Sequence, residues 1–246
     1  MDLALAGEVA IVTGGSRGIG RAVVSELLSE GVRVATGSRH PGECQGFDAG
    51  PDQLLVMPLD VTDAQSIDRF VAQVVNHWGP VHMLVNNAGK AYPGTFDTLT
   101  DDDWRRDIDV KLMAQMRMAR RVLQDMPDGG RIVNMTAIFG KQPDPRFFAS
   151  SVNRAACTAF TKTLAKAVAA RGIRVNAVSI GFVYSGQWEG KPQEFFQETV
   201  KAFSVPLGRF GDASEASHAV TFLLSHAASY LTGVILDVDG GMAAYL

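Results

Sequence analysis

The amino-acid sequence predicts an α/β protein built on a doubly wound parallel sheet of about seven strands with helices on both faces, and three observations lead there. Short runs rich in Val, Ile and Leu recur along the chain: EVAIVT, VRVAT, LLVMPL, VHMLVN, RIVNM, IRVNAVS and GVILDV. They are apolar almost throughout instead of alternating, the pattern of strands covered on both faces. Longer stretches of helical period, such as 64–79, 101–125 and 147–171, separate them. Alternating strand and helix requires right-handed crossovers, which bring successive strands parallel into one sheet. No Pro/Gly linker or internal repeat interrupts residues 1–246, so a single domain is expected, large enough to bury its core without disulfide or metal support.

Taken in order, the first run passes into Thr13-Gly14-Gly15-Ser16-Arg17-Gly18-Ile19-Gly20, and a helix opens at Arg21. Gly14 permits the tight turn, Gly18 lets the backbone approach a pyrophosphate, and Gly20 allows close packing, while the helix N-terminus attracts negative charge. The second run ends in Ala35-Thr36-Gly37-Ser38-Arg39, with no carboxylate where an NAD site places an acid for the ribose 2′-hydroxyl. Arg39 together with Arg17 suits a 2′-phosphate instead, which favours NADP(H) over NAD(H). The alternative is that both arginines are solvated surface charges. Segment 40–53 reads as a loop. The third run leads into Leu59-Asp60-Val61-Thr62 and the fourth into Asn86-Asn87-Ala88-Gly89. The fifth leads to Pro143-Asp144-Pro145, whose prolines restrict the backbone on both sides of an acid. After the sixth, segment 184–209 spaces Trp188, Phe195, Phe196 and Phe203 among polar residues and reads as a lid. Tyr230-Leu231-Thr232-Gly233 precedes the seventh, and Asp237-Val238-Asp239-Gly240-Gly241 ends it.

Charge and composition narrow the partners. The 23 basic and 26 acidic residues give a net charge of −3 with no block of one sign, which argues against nucleic acid or an anionic membrane and for a small-molecule substrate. No apolar run approaches the length of a membrane span, and the start MDLALAGEVAIV lacks the basic region and cleavage site of a signal peptide, so a cytoplasmic protein is expected. Cys44 and Cys157 form no CxxC pair, and His40, His77, His82, His218 and His226 have no ligand spacing; no metal is expected.

The Gly-x-x-x-Gly-x-Gly spacing, the Asn86-Asn87-Ala88-Gly89 motif, Asp60 and the C-terminal Tyr230–Gly233 and Asp237–Gly241 motifs together resemble the short-chain dehydrogenase/reductase family over essentially the whole chain. The resemblance implies a Rossmann fold whose phosphate turn is lined by Gly14, Ser16, Arg17, Gly18, Ile19 and Gly20. It implies Asp60 and Val61 at the adenine edge, and Asn87, Ala88 and Gly89 at the ribose and strand-end wall. Val183 and Ser185 then face the carboxamide, and Arg154 keeps a ribose hydroxyl bond. It also implies a homodimer or homotetramer paired through helices 101–125 and 147–171, or assembly with an active paralogue.

The family's catalytic asparagine, serine, tyrosine and lysine fall at Lys111, Ala137, Ser150 and Arg154, so all four expected residues are missing. No tyrosine lies between Tyr92 and Tyr184 to substitute. A serine hydroxyl is a far weaker acid than a tuned phenol, and arginine cannot relay protons as lysine does. Ser150 is therefore not expected to replace the tyrosine. Lys111, Asp144 and Arg154 become the candidate catalytic residues, with Arg146 beside them. The Pro143-Asp144-Pro145 loop also resembles that of the atypical reductases in fungal bicyclo-diazaoctane alkaloid pathways, which implies hydride transfer to a cationic C=N stabilised by a carboxylate. The alternative is that Asp144 caps the helix running from Phe147 to Arg171 and that Lys111 is a solvated helix charge. The expected function is hydride transfer between NADP(H) and a small organic C=O, C=C or C=N substrate. The competing readings are an inactive nucleotide-binding structural or regulatory subunit, and a non-redox cyclase or isomerase.

Overall fold

The computed structural model describes residues 3–90 and 92–245, without the side chain of Gln187. Among the described residues seven strands form one parallel sheet: β1 (Val9–Thr13), β2 (Arg33–Ser38), β3 (Leu54–Pro58), β4 (Met83–Asn86), β5 (Arg131–Ala137), β6 (Arg174–Ile180) and β7 (Ile235–Val238). Their order is β3-β2-β1-β4-β5-β6-β7. The direction of winding reverses between β1 and β4, and that switch point opens a crevice beyond the carboxyl ends of the strands. The expected doubly wound Rossmann fold is the observed one.

Helices α1 (Gly18–Ser29) and α7 (Ala213–Leu224) cover one face, where Val23, Leu27, Val220 and Leu224 pack on Val12, Val85 and Val133. Helices α2 (Ala64–Trp78), α4 (Ala114–Val122) and α5 (Phe148–Val168) cover the other through Phe70, Val74, Met118, Val122 and Ala165. Phe70 is among the largest fully buried side chains, so Phe70→Ala would cost about 3–5 kcal/mol. Cys44 and Cys157 are buried free thiols. Among the described residues no helix is long and apolar enough to cross a membrane.

Two segments differ from the sequence reading. The predicted helix over 101–125 is three pieces: α3 (Asp101–Ile108), a π-helical turn (Asp109–Met113) and α4. Asp107, Lys111 and Gln115, spaced by four, are all buried along it. A π turn inserts one residue into the helical ladder and re-aims the side chains it carries; here it holds Lys111 inside. The lid segment 184–209 contains a further helix, α6 (Gln193–Ala202), because Phe195 and Phe196 fall on the side that meets Trp188, Tyr184 and Phe210. Aromatic packing with Phe182 and Phe203 seats this segment on the end of β6.

Candidate active site

One cavity of about 770 Å³ begins at the glycine turn after β1, passes the ends of β4 and β5, and ends against α5 and the π turn. Gly14, Ser16, Arg17, Gly18, Ile19, Gly20, Arg39, Asp60, Val61, Asn87, Ala88, Gly89, Lys111, Ala137, Ser150, Arg154 and Ser185 all line it.

At the first end the backbone supplies the chemistry. Arg17 is the N-cap of α1, no described side chain caps that helix, and its first turn holds no acid. By contrast α2 is capped by Asp63, and α3 by Thr100 with Asp103. The amides of α1 are therefore oriented toward the cavity without a built-in acceptor, as an anion site requires. A Cβ on Gly20 would sit 2.2 Å from the Gly14 carbonyl oxygen and 2.3 Å from Asn87 Nδ2, so only glycine lets the turn close. Asn87 donates to the carbonyls of Thr13 and Gly14 at 2.9 and 3.1 Å. Its amide braces the turn, a role the sequence reading did not assign. Gly18 has φ +55, and its missing Cβ leaves room for Ser185 from the lid. These features fit the pyrophosphate of a dinucleotide.

Farther along, Arg39 and His40 line the wall with Glu43, which a short turn over Pro41–Glu43 brings into the cavity. Glu43 was not among the predicted residues; it follows Arg39 by four residues in an irregular loop, where no periodicity fixes direction. Arg21 holds that loop by donating to the carbonyls of Gln45 and Gly46 and stacking over Phe47. Asp60 accepts from the Thr62 amide at 2.9 Å and hydroxyl at 2.7 Å, bonds that lower its pKa with help from the Arg39 charge.

At the other end side chains supply the chemistry. Lys111 Nζ lies 2.5 Å from Asp107 Oδ1 and donates to Ser150 Oγ at 2.6 Å. Asn153 Nδ2 donates to the other Asp107 oxygen at 2.7 Å. Lys111 is 1% exposed, Asp107 0% and Ser150 6%. Burial is the largest influence on the Lys111 ammonium, the Arg154 charge adds to it, Asp107 opposes both, and the result is a pKa lowered to about 8. Arg154 donates to the Met135 carbonyl at 2.7 Å, and its guanidinium approaches Gly89.

Several expectations need correction here. Lys111 is not a solvated helix charge but a buried member of a four-residue network. Asp144 does not cap α5, whose N-cap is Phe147 with no side-chain bond. Nor do Asp144 and Arg146 line the main cavity; they line a second one of about 390 Å³, which shares only Phe139 with it. There Arg146 pairs with Asp144 through Nε and Nη2, at 2.9 and 2.6 Å, and stacks on Phe203. That pairing holds the Asp144 carboxyl below its ordinary pKa. The carboxylate beside Lys111 is Asp107, and neither it nor Asn153 was predicted. The only signal for Asp107 was the Asp-x-x-x-Lys spacing, which ordinarily marks a surface ion pair, and Asn153 on α5 had none. Ser185 lines the cavity, whereas Val183 is buried behind it, its carbonyl accepting from the Trp188 indole.

Comparison with known proteins gives a consistent neighbourhood. Residues 14–243 match the profile of the family described as enoyl-(acyl carrier protein) reductase. The chain is 35% identical over 241 residues to 3-oxoacyl-[acyl-carrier-protein] reductase FabG of Haemophilus influenzae, covering 96% of this chain and 98% of that protein. It superposes on an NADPH-bound short chain oxidoreductase of Pseudomonas aeruginosa PAO1, described as containing an atypical catalytic center, with TM-score 0.90 and 32% identity over 97% of this chain and 98% of that one. L-sorbose reductase of Gluconobacter frateurii, complexed with NADPH and L-sorbose, matches with TM-score 0.92 and 29% identity over 100% of both chains.

Proposed function

Since the chain belongs to the short-chain dehydrogenase/reductase family of oxidoreductases, we propose that it transfers hydride between NADP(H) and the carbonyl carbon of a small organic substrate. The observation that carries this reading is the single cavity that joins an uncapped helix N-terminus to a hydroxyl backed by an ammonium group. NADPH, when bound, supplies the hydride. The chain's own residues hold the phosphates at α1, close the lid through Ser185, and present Ser150 to the reacting oxygen.

A carbonyl is favoured over an iminium because the reacting end offers hydrogen-bond donors, while its nearby carboxylates are already paired: Asp107 with Lys111 and Asn153, and Asp109, which lines the cavity, with Arg117. Asp144, the acid that an iminium reading needs, faces the second cavity. NADP(H) is favoured over NAD(H) because Arg39, and no carboxylate, directly follows β2 and lines the cavity there. The NADPH-bound Pseudomonas and Gluconobacter structures support the same choice. A homodimer is expected, since Phe96 (70% exposed) and Val152 (50%) flank Phe148 on one apolar face; light scattering tests it.

Stopped-flow absorbance with NADPH and a panel of ketones, aldehydes, enones and imines tests the activity. Decay with ketones or aldehydes is expected. A flat trace with every substrate, while calorimetry records cofactor binding, would replace this reading with that of a non-catalytic nucleotide-binding protein.

A further inference from the structure

We propose that Ser150 is the proton-transferring group of this site and that Lys111 is the proton reservoir behind it, a relay held in place by Asp107 and Asn153. The proposal rests on the hydride-transfer reading above and deepens it.

Ser150 Oγ, the more exposed of the two groups, lines the cavity and accepts from Lys111 Nζ at 2.6 Å. A hydroxyl donates and accepts at once. During reduction the substrate carbon accepts the hydride and its two electrons, and the C=O π pair becomes a lone pair on oxygen. That oxygen takes the Ser150 hydroxyl proton as the Oγ–H bond breaks. Ser150 Oγ takes a proton from Lys111 as an Nζ–H bond breaks, so the serine ends as it began and the lysine is left a neutral amine. Solvent returns one proton to Lys111 after the turnover. The sum is one hydride and one proton added across C=O, and alcohol oxidation runs the same steps backward.

Serine alone is too weak an acid for this work, and in the relay it never has to hold the charge. The acidity comes from Lys111, whose surroundings are asymmetric. Asp107 on α3 favours the ammonium, while burial and Arg154 on α5 disfavour it; Cys157, also on α5, donates to the Lys111 carbonyl, and Tyr92 places its ring 5.7 Å from Nζ. A proton source that titrates near the working pH is the condition for efficient general acid–base catalysis. Asp107 and Asn153 are positioning residues: they fix Nζ and touch no substrate.

The test combines three measurements on the full chain. Single-turnover reduction rates are taken from pH 6 to pH 10 for the wild type, Lys111→Arg, Ser150→Ala and the double variant. Calorimetry with NADPH accompanies each. The lysine Cε resonances of the ligand-free protein are titrated by NMR. Wild-type reduction is expected to fall as pH rises through the range in which one lysine, absent from the Lys111→Arg spectrum, loses its proton. Each single variant is expected to lose about 10²–10⁴ in rate with cofactor affinity unchanged, and the double variant to be no slower than either. Lys111→Arg, which keeps the charge but cannot deprotonate, should also lose the pH limb. Wild-type rate and an intact limb in Lys111→Arg, or additive losses in the double variant, would overturn the relay and leave hydride transfer standing. No turnover by wild-type protein that binds NADPH would overturn both.

Discussion

The two ends of the cavity are built from different materials. At the phosphate end the chain presents backbone: amides at the start of α1, carbonyls held by Asn87, and glycines where a Cβ would collide. At the reacting end it presents side chains taken almost entirely out of water, with Asp107, Lys111, Ser150 and Asn153 each bonded to another of the four. A backbone site tolerates changes around it as long as the glycines remain. A buried ionic network depends on every member, because removing one charge strands the other.

The sharpest way to break the contrast is Lys111→Met. Asp107 would be left buried with only Asn153 as a side-chain donor, and a loss of about 3–5 kcal/mol in unfolding free energy is expected from urea denaturation. Adding Asp107→Leu should recover most of it, since a buried pair replaced on both sides by apolar groups is often neutral. A stability loss below 1 kcal/mol, on the order of a surface pair, would mean the network is solvated. At the other end Gly20→Val should leave stability less affected and weaken NADPH at least about 100-fold, or about 2.7 kcal/mol. The added Cβ pushes the Gly14 carbonyl and the Asn87 amide apart, and calorimetry reads the result. Retained affinity would show that the turn need not be closed to hold the phosphates.

How much of this was legible in the sequence follows the same division. The sheet was legible because buried parallel strands are written as local apolar runs, and each of the seven predicted runs overlaps an observed strand. The phosphate turn was legible because Gly14, Gly18 and Gly20 fall within one strand-turn-helix unit. The reacting end was only half legible. Lys111, Ser150 and Arg154 could be placed by their motifs, but Lys111 and Ser150 are 39 residues apart, and Asp107 and Asn153 46 apart. Nothing in a linear pattern distinguishes Asp107, which is buried, from Asp109, which pairs with Arg117 near the surface. Asp144 misled for the converse reason: its flanking prolines mark a rigid loop, while the cavity it faces is set by Phe139 and Phe203 from other segments.

The network should also reveal itself in pH dependence. Lys111 loses its proton at about 8 in the folded chain and near 10.4 when unfolded. Between those values the unfolded state binds more protons, so the contribution of this group to stability rises with pH, by about 1 kcal/mol per pH unit at most. Guanidinium midpoints of the wild type and Lys111→Met at pH 7.5 and 9.5 isolate the effect. The gap between the two proteins should widen at the higher pH, whereas a constant gap would assign Lys111 an ordinary, solvated pKa and a narrowing one a raised pKa.

The smallest effect concerns the adenine-ribose end, where Glu43 and Asp60 line the cavity with Arg39. Arg39→Ala is expected to weaken NADPH about tenfold, about 1.4 kcal/mol, and NADH hardly at all. Glu43→Gln should act in the opposite direction. Removing a carboxylate that lines the cavity four residues after Arg39 relieves repulsion of a 2′-phosphate, so NADPH should bind about threefold tighter, about 0.6 kcal/mol, and the gain should shrink as salt screens it. If Glu43 instead accepts a ribose 2′-hydroxyl, the same variant weakens NADH and leaves NADPH unchanged. The ratio of the two affinities in Glu43→Gln therefore decides whether this acid opposes Arg39 or serves the other cofactor.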